Sequence, residues 1–146
     1  PCPEAVDYPL LLQDMSSINI QAYSLETVIA EKFHAMIDRD VLNSRMKDFF
    51  DCYQILTTRE LSDEILYEAI NATFNNRQLE MKTDLKLFTE DFATDEMRQK
   101  QWKSFLKRIQ WKQDVDFKEV MILIASRLKP MYDRYCASYL TNIQKE

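Results

Sequence analysis

The sequence predicts a mainly α-helical protein, with five to six helices packed as one bundle-like domain. Apolar residues recur at spacings of three and four through most of the chain after residue 23, as on one face of a helix. Serine, threonine or aspartate precedes several of these segments, where their side chains cap free backbone amides. The 146 residues include no glycine, although average usage would give about ten. A chain without glycine fits helices joined by few tight turns.

Residues 1–23 are predicted to be an extended segment, and residues 24–146 the helical domain. Pro1 and Pro3 oppose regular structure at the start of the chain. Residues 18–22 alternate apolar and polar side chains, the pattern of a short strand. This strand has no partner that can be identified elsewhere in the sequence.

The first predicted helix follows Ser24, a good N-cap. Its apolar stripe consists of Leu25, Val28, Ile29, Phe33, Met36 and Ile37. Lys32 falls in the middle of this stripe, and Ala35 leaves space beside it. Either the lysine stem packs while the ammonium reaches water at an edge, or the stripe lines a cleft in which the ammonium faces an anion. His34, the only histidine, lies opposite the stripe and is interpreted as exposed.

The second predicted helix starts near Asn43 or Ser44. Asp48 and Asp51 lie one turn apart on it, so their Cβ atoms are roughly 5–6 Å from each other. Two carboxylates this close repel unless a cation lies beside them. The pair is either part of a solvated acidic face or held by a cation. Cys52 and Ile55 on the same side favour a covered face.

The remaining helices follow from periodicity and caps. Ser62 caps a third helix to about Phe74, with Leu61, Ile65, Ala69 and Ala72 as its stripe. Residues 79–92 are predicted as loop with one short helical turn. A fourth helix starts near Thr94 and buries Met97, Trp102, Phe105, Leu106 and Ile109. A fifth helix follows the Asp116–Glu119 capping box, Pro130 ends or kinks it, and a last helix covers residues 132–143.

The fourth helix carries a basic stripe of Lys100, Lys103 and Lys107. Residues 98–112 include six basic side chains and no acidic one. The stripe is either a phosphate or RNA contact surface or an ordinary solvated face, since lysine is mostly exposed in any case. The net charge of −5 argues against non-specific attraction of nucleic acid by the protein as a whole.

Composition excludes several classes of protein. Without glycine there is no P-loop, no dinucleotide-binding fingerprint and no nucleophile elbow. Three widely spaced cysteines form neither a zinc motif nor a disulfide framework, which fits a reducing cytoplasm. No apolar run approaches the roughly 18 residues that indicate a membrane span.

Residues 31–35 (EKFHA) followed by residues 43–51 (NSRMKDFFD) resemble the AbiEii/AbiGii-type nucleotidyltransferase toxins. Members of that family show a K-x-x-A motif and then a D-x-x-D motif, which match Lys32/Ala35 and Asp48/Asp51. Weaker resemblance continues through residues 69–77 and 102–108. The family's glycine–serine motif and first acidic metal-binding motif precede this part, and neither occurs in the sequence. The resemblance therefore implies the C-terminal helical part of such a toxin, with residues 1–23 as the seam to a missing N-terminal nucleotidyltransferase sheet.

The resemblance also implies roles. Lys32 is expected to contact a nucleoside triphosphate, Asp51 to serve the chemistry and Asp48 to support it, with Arg45 and Lys47 as further phosphate contacts. Mg²⁺ and a nucleoside triphosphate are expected cofactors of the complete enzyme, with no metal ligand assigned in this chain. The expected partners are a cognate antitoxin and an RNA acceptor such as tRNA.

Three hypotheses remain open from the sequence. In the first, the chain is part of a nucleotidyltransferase of an abortive-infection or toxin–antitoxin system and is inactive alone. In the second, it is a helical module that docks a protein partner without catalysis. In the third, it is a helical domain that binds RNA through Lys100, Lys103 and Lys107. The first and third hypotheses are compatible.

Overall fold

A computed structural model describes residues 24–79, 82 and 84–145 of the protein, with side chains described to residue 142. Within these ranges the chain forms six α-helices and one 3₁₀ turn, and no strand. The prediction of a mainly helical domain with five to six helices is confirmed. The predicted extended segment 1–23 and its strand at 18–22 lie outside the described residues.

The six helices pack in one domain. They are α1 (Leu25–Arg39), α2 (Met46–Thr58), α3 (Asp63–Asn76), α4 (Glu90–Thr94), α5 (Glu96–Arg108) and α6 (Phe117–Lys145). The 3₁₀ turn Asp40–Leu42 joins α1 to α2. Helix α1 packs along α3, while α2 contacts α1, α5 and α6, so α2 lies at the centre of the domain.

Serine side chains cap two helices where the sequence predicts them. Ser24 Oγ accepts from the Thr27 N–H at the start of α1, and Ser62 Oγ accepts from the Ile65 N–H at the start of α3. Helix α2 begins at Met46, slightly later than predicted. Asn43 Oδ1 accepts from the Arg45 N–H at 2.8 Å, in a turn ahead of the helix.

Aromatic side chains form two groups in the core. Phe33 of α1 lies beside Phe74 of α3, with ring centroids 5.5 Å apart, and Tyr132 and Tyr135 of α6 cover Phe74. On the other side of α2, Phe50 contacts the rings of Trp102, Phe105 and Trp111. All of these rings are buried except that of Trp111, which is half-buried, and their burial removes large apolar surface from water, the main favourable term in folding.

The sequence predicted that Pro130 ends or kinks a helix and that a separate helix follows it. The prediction of two separate helices is wrong. Helix α6 runs without interruption from Phe117 to Lys145 and contains Pro130. Leu128 and Met131 are buried on either side of the proline, so packing holds both segments in one helix. Pro130 itself is exposed, and water can satisfy the carbonyl that its missing N–H leaves unpaired.

Two predicted core faces are shifted. On α3 the buried residues are Leu66, Tyr67, Ile70, Thr73 and Phe74, whereas Ile65 is 52% exposed. On α5, Trp102 and Phe105 are buried as predicted, but Met97 is 67% exposed. In both helices the bulkiest rings decided which face turns inward, since they remove the most apolar surface from water.

Glutamine occupies the left-handed backbone position after two helices. Gln78 follows α3 with φ 52°, and Gln110 follows α5 with φ 58°. After α3 the Gln78 N–H donates to the Asn75 carbonyl and the Leu79 N–H donates to the Phe74 carbonyl. Glycine usually fills such positions because it has no Cβ. In this glycine-free chain, glutamine adopts a conformation that costs an L-residue about 1–2 kcal/mol.

Candidate functional site

Helices α1 and α2 bring the three motif residues into direct contact. Lys32 Nζ lies 3.2 Å from Asp48 Oδ1 and 3.0 Å from Asp51 Oδ2. The short connection through the 3₁₀ turn sets the two helices side by side, so that position 32 faces positions 48 and 51. The motifs found separately in the sequence therefore form one cluster in space.

The cluster is buried. Lys32 is 8% exposed, Asp48 is 2% and Asp51 is 3%. The interpretation of the aspartates as a solvated acidic face is thus excluded, because Cys52 and Ile55 on the same side are fully buried as well. Charges removed from water require partners, and here the lysine and the carboxylates supply each other.

Burial by itself lowers the pKa of Lys32, but attraction to Asp51 and Asp48 outweighs it and the net shift is upward. The side chain therefore stays an ammonium ion throughout the physiological pH range. It is suited to hold negative charge in place and unsuited to accept a proton. Because it is a compact point charge with three donors, it can contact a phosphate oxygen as well as both carboxylates.

Two further cations flank the aspartates. Arg45 Nε lies 3.4 Å from Asp48 Oδ2, and Lys47 Nζ lies 2.8 Å from Asp51 Oδ2. We call these five residues (Lys32, Arg45, Lys47, Asp48 and Asp51) the Lys32 cluster. The structure thus brings together every residue to which the family resemblance assigns a catalytic or phosphate-binding role. The roles themselves stay predictions.

A cleft of about 350 Å³ opens beside the cluster. Lys32, Asp48 and Arg45 border it, and Ala35 leaves room for it on α1. Asp51 does not line the cleft. Asp48 Oδ2 is buried and makes no hydrogen bond among the described residues, although Arg45 lies near it. Of the two motif aspartates, Asp48 is therefore the one that borders the cleft.

The cleft is also lined by three residues that sequence reasoning did not assign to a site. These are Glu31 and His34 of α1 and Arg77, which follows α3. Arg77 Nε donates to Glu31 Oε1 at 3.1 Å across 46 positions of sequence. This hydrogen bond from Arg77 lowers the pKa of Glu31. No periodicity signals a contact between residues so distant in sequence, whereas the pairing follows at once from the packing of α1 on α3.

His34 is half-buried, where the sequence predicted it to be exposed. Its ring lies 6.0 Å from the ring of Phe74. Burial lowers the pKa of His34, and the nearby Arg77 lowers it further. The imidazole is consequently neutral at physiological pH and offers the cleft one hydrogen-bond donor and one acceptor.

The cluster does not fit a metal site. The Lys32 ammonium occupies the position between the two carboxylates where a cation would lie. Among the described residues no group of three or more histidine, cysteine, aspartate or glutamate side chains could hold a metal ion. Asp48 and Asp51 are therefore not assigned as ligands of Mg²⁺.

Of the predicted RNA-contact lysines, only Lys100 lines a groove, which it shares with Arg45 and Lys47. Lys103 and Lys107 are exposed on the same helix outside that groove.

No helix in the described part of the chain combines the length and hydrophobicity needed to cross a bilayer.

Comparison with known families gives one match. The family model described as Nucleotidyl transferase AbiEii toxin, Type IV TA system, matches residues 1–121. The matched region includes the whole Lys32 cluster and ends within α6. No curated protein and no solved structure matches the chain.

Proposed function

The chain belongs to the AbiEii nucleotidyl transferase toxin family, and on that premise we propose that it helps to transfer a nucleotide from a nucleoside triphosphate to an RNA acceptor. The observation that carries the proposal is the buried contact of Lys32 with Asp48 and Asp51 at the edge of a cleft. A stable core does not require such a cluster, since well-packed apolar side chains serve at least as well.

In this proposal the cations of the cleft hold the triphosphate. Lys32 is held by two carboxylates at the edge of the cleft, and its ammonium would place positive charge beside a phosphate oxygen. Arg45 and Arg77 border the same cleft from two sides, and guanidinium groups match phosphate geometry. Preorganised positive charge of this kind stabilises the charge that develops on the phosphates during transfer.

Asp48 is the residue proposed to orient the attacking hydroxyl. Its Oδ2 atom is the carboxylate oxygen at the cleft without a hydrogen bond from the described residues, and a carboxylate accepts hydrogen bonds only. The hydroxyl proton would pass to Asp48 Oδ2, the hydroxyl oxygen would bond to the α-phosphorus, the bond from the α-phosphorus to the bridging oxygen of the β-phosphate would break, and pyrophosphate would leave. Asp51, which accepts from Lys32 and Lys47 away from the cleft, would position Lys32. This order of roles reverses the one expected from the resemblance.

Residues outside the Lys32 cluster would complete the catalytic site. The sequence has no glycine, so the glycine–serine turn that binds phosphate in this family is not among these 146 residues. We expect these residues alone to lack transfer activity, and we expect Mg²⁺ to be held by groups other than Asp48 and Asp51. Membership in a toxin–antitoxin family implies a cognate antitoxin as a partner.

The test is Asp48→Asn in the complete protein, assayed for incorporation of labelled nucleoside monophosphate from each triphosphate into RNA. We expect activity to fall by about 10²–10⁴-fold, the usual loss for a group that handles the acceptor proton. Asp133→Asn is the matched control, because Asp133 is an exposed carboxylate on α6 paired with Lys129. Thermal unfolding of each variant verifies that the fold persists.

Asp51→Asn distinguishes the two aspartates. If Asp51 only positions Lys32, its amide should weaken triphosphate binding more than it slows turnover at saturation. Retention of full transfer activity by Asp48→Asn would overturn the proposed role of Asp48, and absence of transfer with every triphosphate and RNA would overturn the proposed function.

A further inference from the structure

A second concavity, of about 550 Å³, lies between the start of α2 and the outer face of α5. We call it the basic groove and define it by its four cations, Arg45 and Lys47 from α2 and its N-cap and Lys100 and Arg108 from α5. No aspartate or glutamate lines it. In a protein with net charge −5, four cations without a carboxylate between them make a local positive field that attracts anions.

The two cations of α5 are the stronger indication of a binding site for an anion. Within the described part of the chain, neither Lys100 nor Arg108 forms an ion pair with a carboxylate, and both are exposed. Arg45 and Lys47 approach from the other side, with their carboxylate partners in the buried cluster behind them. The groove thus presents positive charge from two helices toward the same space.

The accessible apolar surface of the groove is that of Met97, which is 67% exposed. Phe105 also lines the groove but is only 4% exposed, and the Arg108 guanidinium lies 5.5 Å from its ring centroid. A groove that combines cations with apolar surface suits a single nucleic-acid strand, whose phosphates and base faces alternate along the chain. A compact anion such as free phosphate would use only the cations.

The basic groove and the cleft share one lining residue. Arg45 borders both, and its Nε atom lies 3.4 Å from Asp48 Oδ2. A strand lying in the groove would therefore lead past Arg45 to the carboxylate proposed to orient the attacking hydroxyl.

We propose that the basic groove binds the single-stranded end of the RNA acceptor and directs its terminal hydroxyl toward Asp48. This inference rests on the proposed function for the identity of the strand as acceptor. Lys100 and Arg108 hold its phosphates on the α5 side, and Arg45 holds the phosphate nearest the cleft. The contact surface is thus the groove, and the stripe of Lys100, Lys103 and Lys107 expected from the sequence contributes only Lys100.

The test uses fluorescence anisotropy of the complete protein with a labelled single-stranded RNA of about 12 nucleotides, titrated at several salt concentrations. The groove variant is Lys100→Glu with Arg108→Glu. The matched control is Lys103→Glu with Lys107→Glu, which reverses two charges on the same helix outside the groove. We expect the groove variant to weaken binding at least about tenfold and to reduce the salt dependence by about two counterions, and the control to change affinity less than about twofold.

Equal weakening by both variants would overturn the inference, because a general charge effect would then explain the binding. Unlabelled RNA and polyglutamate can be compared as competitors at the same concentration of charge. If polyglutamate displaced the labelled RNA as well as unlabelled RNA does, the inference would be overturned in favour of an acidic protein partner. Absence of RNA binding by the unaltered protein would do the same.

A second measurement separates this inference from the proposed function. The thermal shift caused by nucleoside triphosphate with Mg²⁺ should be unchanged in the groove variant, since the cleft cations remain. If RNA binding depended on the groove but no nucleotide transfer occurred, the proposed role of the groove would be upheld and the proposed reaction would be overturned. If the groove variant still transferred nucleotide and its KM for RNA were unchanged, the proposed reaction would be upheld and the proposed role of the groove in RNA binding would be overturned.

Discussion

Two ion-paired regions of this domain have similar chemistry but differ in how far their side chains are exposed to water. Lys32 joins α1 to Asp48 and Asp51 of α2, and the three side chains are 10%, 2% and 3% exposed. Arg127 joins α6 to Asp63 of α3 at 3.1 Å, with side chains 29% and 76% exposed. Both regions connect neighbouring helices through a cation and aspartate. Only the first removes its charges from water.

The difference in burial changes how each group affects stability. An exposed pair is solvated whether or not it forms, so it changes the free energy of unfolding little. A buried cluster loses the hydration of every charge in it and recovers this only through its mutual contacts. Lys32 lies among Ile29, Phe33 and Met36, where an apolar residue would pack without that loss. Stability alone does not account for a lysine at this position, and this is the reason for our proposal that its charge serves the adjoining cleft.

The largest expected effect is that of Lys32→Ala. It leaves two buried carboxylates without their central cation, and we expect it to lower the free energy of unfolding by about 3–5 kcal/mol. This is a large share of the roughly 5–15 kcal/mol typical of a domain. Urea denaturation followed by circular dichroism measures it.

The control for Lys32→Ala replaces the three buried charges with apolar side chains, as Lys32→Met with Asp48→Leu and Asp51→Leu. Because no buried carboxylate then lacks its partner, its free energy of unfolding should lie close to that of the unaltered protein. A loss below about 1 kcal/mol for Lys32→Ala alone would show that water reaches the carboxylates, and the contrast between the two regions would disappear.

Alkaline pH gives the next effect. The folded-state pKa of Lys32 is above its ordinary value of 10.5, so the stability it contributes is complete below that pH and is lost as pH rises through the folded pKa. Burial raises the pKa of Tyr132 from 10.0 to about 12, and its unfolded state releases the proton first. Burial also raises the pKa of Cys52, Cys136 and Tyr135. All five groups make the free energy of unfolding fall above pH 10.

Tyr132→Phe removes the contribution of Tyr132. In unfolding experiments between pH 10 and pH 12, the free energy of unfolding of this variant should decline less steeply than that of the unaltered protein, because only Lys32 and the other buried groups still contribute. Arg127→Met should show the same decline as the unaltered protein. A flat profile over this range would contradict the upward shift of these pKa values.

The smallest expected effect is that of Arg127→Met. Because Asp63 is mostly exposed and water replaces its partner, we expect the free energy of unfolding to change by less than about 1 kcal/mol. The same denaturation experiment measures this change. Added salt should make the difference in free energy of unfolding between the variant and the unaltered protein still smaller. A loss as large as that of Lys32→Ala would mean that exposure does not distinguish the two regions.

Much of the architecture could be predicted from local chemistry. Ser24 and Ser62 cap helices as expected, and the apolar spacing of α1 and the first part of α6 identifies their buried faces. These features depend on hydrogen bonds and periodicities within a few residues. The K-x-x-A and D-x-x-D motifs are equally local, and their resemblance to the AbiEii family needed no coordinates.

The sequence by itself therefore determined the helical class, most helix positions and the residues of the candidate site. Tertiary structure alone decided that α6 continues through Pro130, that Met97 faces water, and that Asp48 and not Asp51 borders the cleft. It also brought Arg77 to Glu31 and placed Lys100 opposite Arg45. The physical reason is the same in each case. Which side of a helix turns inward, and which distant side chains meet, depends on the packing of large rings between helices, and no single helix contains that information.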